Sequence, residues 1–142
     1  MSDRYEMVLS CFLRSDSPES ALSTLRWHLG LARDCPEDLD EDDHPWQLLI
    51  PSPQSRLPGG DAAVLRESEM LDEQGLPLWE LFARNYWVDD NLLYLDTLLA
   101  VLAPHIAVPG YGGHLRHEFD TEPVVFVFRD GTYAQVSPNR TG

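Results

Sequence analysis

Between Arg4 and Leu13 apolar and polar side chains alternate. Tyr5, Met7, Leu9, Cys11 and Leu13 share one parity, while Glu6, Val8, Ser10 and Phe12 share the other. A period of two predicts a β-strand with two different faces. The pattern then changes. Leu22, Leu25, Leu29 and Ala32 recur at three- and four-residue spacing, the stripe of an amphipathic helix. Ser17 stands at its N-cap position, Pro18 at N1 and Glu19 in the first turn, all helix-start signals. Gly30 weakens its end.

Alternation returns at residues 62–69 and 78–87, which read as two strands joined by the turn-forming Asp72, Glu73, Gln74 and Gly75. Asp89, Asp90 and Asn91 offer caps for a second helix, whose stripe is Leu92, Leu95, Leu98, Leu99 and Leu102 and whose stop is Pro104. Pro109, Gly110, Tyr111, Gly112 and Gly113 read as a glycine-rich bend. Residues 114–119 and 124–128 are strands, and Arg129-Asp130-Gly131-Thr132 carries the two-residue hairpin signal before a return strand at 133–136. Residues 137–142 are expected to fray.

The middle of the chain, 34–61, follows neither period. Residues 34–43 hold seven acids and no base, bracketed by Pro36 and Pro45, and read as a solvated loop. Residues 46–50 are either a short strand or an irregular piece tucked against the core. Pro51, Pro53, Pro58, Gly59 and Gly60 keep the chain irregular to about Asp61.

The order is β-α-(β)-β-β-α-β-β-β. Without the uncertain element and the terminal hairpin it reduces to βαββαβ. That predicts a single α+β domain over 1–142, with a ferredoxin-like antiparallel sheet covered on one face by two helices and an extra C-terminal hairpin. This element order resembles that of the dimeric α/β-barrel proteins over residues 4–128. That group includes small cofactor-independent monooxygenases and ligand-binding stress proteins. The resemblance implies a homodimer and a pocket between the paired sheets or between sheet and helices, and it transfers no catalytic residue.

Two helices bury only one face of such a sheet, so the other face is diagnostic. Its expected members are Glu6, Val8, Ser10 and Phe12, then Glu80, Phe82, Arg84 and Tyr86, then His114, Arg116 and Glu118. Aromatic and charged residues mixed in this way suit a partly covered face. Either a second copy closes over it, or it stays open with cross-strand ion pairs. His114, Arg116, Glu118, Arg84, Tyr86 and Phe82 are therefore the candidate ligand-binding residues. His114 and His117 lie three apart, so in a regular strand they face opposite ways and do not share a metal. His117 reads as a hydrogen-bonded core histidine. Trp27, Trp46, Trp79 and Trp87 read as core or interface packing, with Trp79 and Trp87 on one strand face.

Charge changes the picture less than its size suggests. The 142 residues carry 24 acids against ten basic residues, all arginine, for a net charge of −14. Non-specific nucleic-acid binding needs the opposite sign, and the lack of lysine excludes Schiff-base and P-loop lysine chemistry. Yet outside 34–43 the remaining 132 residues carry 17 acids against ten arginines, a net of only −7. The excess is local. Asp38, Asp40 and Asp42 imitate the start of a calcium loop, but Asp43 stands where its glycine belongs and Leu49 at its twelfth position, so no metal site is expected. The glycines at 110–113 lie between helix and strand, the reverse of a dinucleotide fingerprint. No catalytic or cofactor motif occurs. Two cysteines, Cys11 and Cys35, do not make a disulfide scaffold, and no apolar run is long enough for a membrane. A cytoplasmic protein is expected.

Three functions fit these residues. The first is a small homodimeric module binding an apolar ligand or a protein partner. The second is a cofactor-free oxygenase or isomerase using His114 or His117 with Arg84 and Arg116. The third is an acidic inhibitor of a basic protein, such as an immunity protein, docking through 34–43.

Overall fold

A computed structural model describes residues 3–137. Six strands form one antiparallel sheet: β1 (Arg4–Leu13), β2 (Ala62–Leu71), β3 (Pro77–Val88), β4 (Gly110–His117), β5 (Val124–Arg129) and β6 (Thr132–Val136), in the order β2-β3-β1-β4-β5-β6. Two short helices accompany them, α1 (Glu19–His28) and α2 (Leu95–Leu102). The expected ferredoxin-like βαββαβ core of dimeric α/β-barrel type is corrected by this architecture. Most of the regular structure is sheet, and the helices are only ten and eight residues long. The C-terminal hairpin is an integral part of the sheet. Its Phe126 and Phe128 are fully buried in the main core, so β5 and β6 are bound to it by the same apolar burial that holds β1.

The parity of β1 is as expected. Met7, Leu9 and Leu13 face the helix side and are buried, together with Leu81, Ala83 and Trp87 of β3. From α1 come Leu25 and Leu29, and from α2 Leu95, Leu98, Leu99 and Leu102. Helix α1 is shorter than its stripe predicts, because Gly30 (φ 77°) turns the chain and Leu31 N–H donates back to Arg26 O at 2.9 Å. Ser17 does not cap it; its hydroxyl donates to Arg14 O at 2.7 Å. Before α2, residues 89–94 form a 3₁₀ turn, so the second helix begins later than its caps suggest. The hairpin between β5 and β6 has Asp130 at φ 53° and Gly131 at φ 75°, the paired positive values its dipeptide predicts.

Residues 46–50 are not a strand. They form a strap on the helix side of the sheet, with Leu48 and Leu49 buried. Trp87 Nε1–H donates to Leu48 O at 2.8 Å, and Leu49 N–H donates to His28 O at 2.9 Å. The seven acids of 34–43 are all exposed.

Two further readings change. The glycine-rich bend belongs to β4, and strand 114–119 ends at His117, leaving Phe119 on the surface. A Cβ at Gly113 (φ 140°) would collide with the Val8 carbonyl of β1, and one at Gly112 with the ring of Phe128. These glycines let β1 and β5 close onto β4. The tail expectation falls largely on residues 138–142, outside those described. Among the described residues no helix is long and apolar enough to cross a membrane.

Candidate functional site

On the sheet face away from the helices, Glu6 of β1 lies opposite Tyr86 of β3 and Arg116 of β4. Cross-strand neighbours on one face approach closely enough for their side chains to meet. Arg84 donates to Glu6 Oε2 through Nε at 3.0 Å and Nη2 at 2.9 Å. On the other carboxylate oxygen, Oε1, His114 Nε2 lies at 3.2 Å and Arg116 Nε at 3.4 Å. Burial raises the proton affinity of Glu6. Hydrogen bonds from Arg84 and His114, with the charges of Arg84 and Arg116, outweigh it and hold the carboxyl below its ordinary range.

The arginines are also tied to the backbone. Arg84 Nη1 donates to the carbonyls of Pro58 and Gly60, and Arg116 Nη1 to that of Asp120 at 2.9 Å. Arg84 thus anchors the end of the long connector to the open face. Tyr86 donates to Glu118 Oε2 at 2.7 Å, and the guanidinium of Arg4 stacks over its ring at 5.7 Å. The bond to Glu118, then burial and the charge of Glu118, raise the Tyr86 phenol above its usual range.

Of the six expected site residues, His114, Arg116, Glu118, Arg84 and Tyr86 lie in this network, and Phe82 lies beside it on the same face. The sequence reading placed Glu6 on this face but missed its role as the shared acceptor. It missed Tyr111 altogether. Tyr111 and His114 are three apart, which in regular β geometry sends them to opposite faces. Here Tyr111 pairs with Val127 and His114 with Val125, so a bulge has absorbed Gly112 and both face the open side. Tyr111 Oη sits 2.8 Å from His114 Nδ1. Burial, followed by the charge of Glu6, raises the Tyr111 phenol. In a glycine-rich stretch such bulges are common, which was the one available signal.

The proton inventory follows from the partners. An ionised Glu6 accepts only, so Nε2 of a neutral His114 carries the ring proton. Nδ1 is then the acceptor, and Tyr111 donates to it. The phenol oxygen keeps its lone pairs for a further donor.

Beside Tyr111 the open face forms a cleft of about 520 Å3, with Ser10, Phe12, Val64, Phe82 and Val108 in its lining and the paired Arg66 and Glu80 at its side. Neither protein families, nor curated proteins, nor solved structures give a significant counterpart. The site therefore has to be read from its own chemistry.

His117 lies apart from this site. Its ring meets Tyr5 edge-on at 5.3 Å, its Nδ1 accepts from Phe119 N–H at 3.3 Å, and its Nε2 lies 3.4 Å from Asp3. Among the described residues no cluster of His, Cys, Asp and Glu has the makings of a metal site. Trp87 and Trp27 are buried, whereas Trp46 is exposed and packs on Tyr94 at 5.1 Å. Burial pushes the Cys11 thiol up to about 12, which leaves it inert.

Proposed function

We propose that this protein is a small ligand-binding module, taking an amphipathic molecule on the open face of its sheet. The apolar body lies across Phe12, Val64 and Phe82, and a hydrogen-bond donor on the ligand meets Tyr111 Oη. The observation that carries this reading is the cleft of about 520 Å3 walled by Tyr111, whose hydroxyl is fixed 2.8 Å from His114 Nδ1. Pockets of this size with few polar groups are the usual places for small molecules. Free lone pairs on the phenol oxygen call for a donor, which an alcohol or an ammonium group supplies and a carboxylate does not.

Binding is better supported than proton-transfer chemistry. Arg84 and Arg116 are both engaged with Glu6 and with backbone carbonyls. A cytoplasmic setting belongs to the same proposal, since Cys11 and Cys35 are free thiols and suit a reducing compartment.

The test is an amide chemical-shift titration with 2-phenylethanol, 2-phenylethylamine and 3-phenylpropionate at millimolar concentration. The alcohol and the amine are expected to move the amides of Ser10, Phe82 and His114 more than the carboxylate does. Tyr111→Phe should erase that preference while leaving weak apolar binding. If none of the three compounds moves these amides, the reading fails.

A further inference from the structure

Under the strap lies a second polar cluster with no part in the open face. His28 is fully buried, and its two ring nitrogens are both engaged. Leu48 N–H donates to His28 Nδ1 at 3.1 Å, and a backbone amide has no other role to play there. A neutral His28 therefore carries its proton on Nε2, 2.8 Å from His44 Nδ1, and donates to it. His44 must keep Nδ1 unprotonated to accept. The whole chain of bonds, from strap amide to His28 to His44, exists only while both rings are neutral.

We propose that this histidine pair is an acid-sensitive latch, and that protonating it releases the strap 44–50 while the sheet stays folded.

The groups around the pair set the order of events. Trp27 of α1 packs on His28 edge-on, with ring centroids 4.8 Å apart, and brings no charge. From β3, Trp87 and Asn85 reach the strap, and both are neutral. Burial holds His44 below its ordinary range, and Asp43 and Asp40 of the acidic segment, which favour its charged form, offset that only in part. Burial and the neighbouring His44 press His28 far lower, to about 3. His44 thus takes the first proton. Two N–H donors then face each other across a gap that holds one hydrogen bond, and the strap loses its anchor.

Release is local because no helix or strand adjoins the strap along the chain. It lies between α1 and β2, within residues 29–61, which contain no helix or strand. Its other ties are Gln47 Nε2 to Trp27 O at 2.7 Å, Leu49 N to His28 O, Trp87 Nε1 to Leu48 O, Asn85 Nδ2 to Ile50 O at 3.2 Å, and the exposed Trp46, whose Nε1 donates to Asn91 Oδ1 at 3.1 Å and whose ring packs on Tyr94. His44 N also donates to Asp40 O within the loop. None is a sheet bond. Asn85 Oδ1, buried beside the strap, has no protein hydrogen-bond partner, so opening also hydrates a polar atom. What opens to solvent is the apolar surface that Leu48 and Leu49 cover.

The test follows the Leu48 and Leu49 amides and the Trp87 indole N–H by NMR from pH 7.5 to 4.5, with Leu9 and Phe126 reporting on the sheet. The strap signals are expected to shift or vanish as pH falls, while those of the sheet persist. His44→Gln keeps an acceptor for His28 but does not titrate, so it should hold the strap closed across this range. Should that variant fold poorly, Asp40→Asn with Asp43→Asn changes only exposed residues. It should move the opening about half a pH unit lower by withdrawing the charges that favour the His44 cation. Strap signals unchanged to pH 4.5, loss of strap and sheet together, or an opening pH unaltered by the aspartate pair would each overturn the proposal.

Discussion

Glu6 and His28 lie on opposite sides of one sheet, and each is the hub of a polar network. Glu6 keeps a fraction of its side chain in water and gathers two guanidinium groups and an imidazole. His28 has no exposure and gathers one amide and one imidazole. Where water is near, a full charge survives because it is paired and partly solvated. Where water is absent, the same need for hydrogen bonds is met by neutral rings, and a proton becomes the disturbance. The open side is thus built from charge and tolerates change. The covered side is built from apolar burial and does not.

The contrast breaks first on core truncation. Leu99→Ala, at a fully buried position between sheet and helix, should cost about 2–5 kcal/mol in urea unfolding. Phe82→Ala removes a larger side chain from the open face and should cost under about 1 kcal/mol. Equal losses would mean that the open face is a second core.

Acid separates the two hubs next. The folded-state affinity of His28 is depressed from its ordinary 6.5 to about 3, so its contribution is complete above 6.5 and declines as pH falls from there. The loss is roughly 1 kcal/mol per pH unit, levelling off once the strap has opened and hydrated the ring. Glu6 is depressed below its ordinary 4.5, so its contribution is present above that value and disappears only as pH falls through the lower folded one. Urea midpoints at pH 7.5, 5.0 and 3.0 should therefore fall in two stages, with Glu6→Gln lessening the lower stage and leaving the upper one as it is. A single stage, or a Glu6→Gln protein losing the upper one, would show the hubs to be coupled.

The smallest effect belongs to the rim of the open face. Arg66 pairs with Glu80 in the open, and such pairs contribute little. Arg66→Ala should leave the urea midpoint where it is.

Much of this arrangement was legible as parity. The alternation from Tyr5 to Leu13 correctly sorted Met7 and Leu9 from Glu6 and Val8, and the same rule gathered Arg84, Tyr86, His114 and Arg116 onto one face. The Asp130-Gly131 turn was legible from its demand for positive φ. The fold class was not, because element order says nothing of how far each helix runs or how deeply β5 is buried. Helix α1 lost its last turn to Gly30. The strap was hidden for another reason. Its partners are Trp27, His28 and Trp87, some 20 to 39 residues away, and no local period records them. His28 and His44 looked like two unrelated histidines for that reason.

The bulge at Gly112 has a consequence for how β4 can change. It is a one-residue correction to the parity of the strand. Were β4 straightened with Gly112 kept in register, Tyr111 would emerge on the helix side of the sheet, among Phe126 and Phe128, and the cleft would lose its phenol. With Gly112 deleted, Tyr111 and His114 would stand two apart, and plain alternation would keep both on the open face with no bulge at all. In this strand the count of residues, even or odd, decides whether the phenol needs a bulge to reach the cleft.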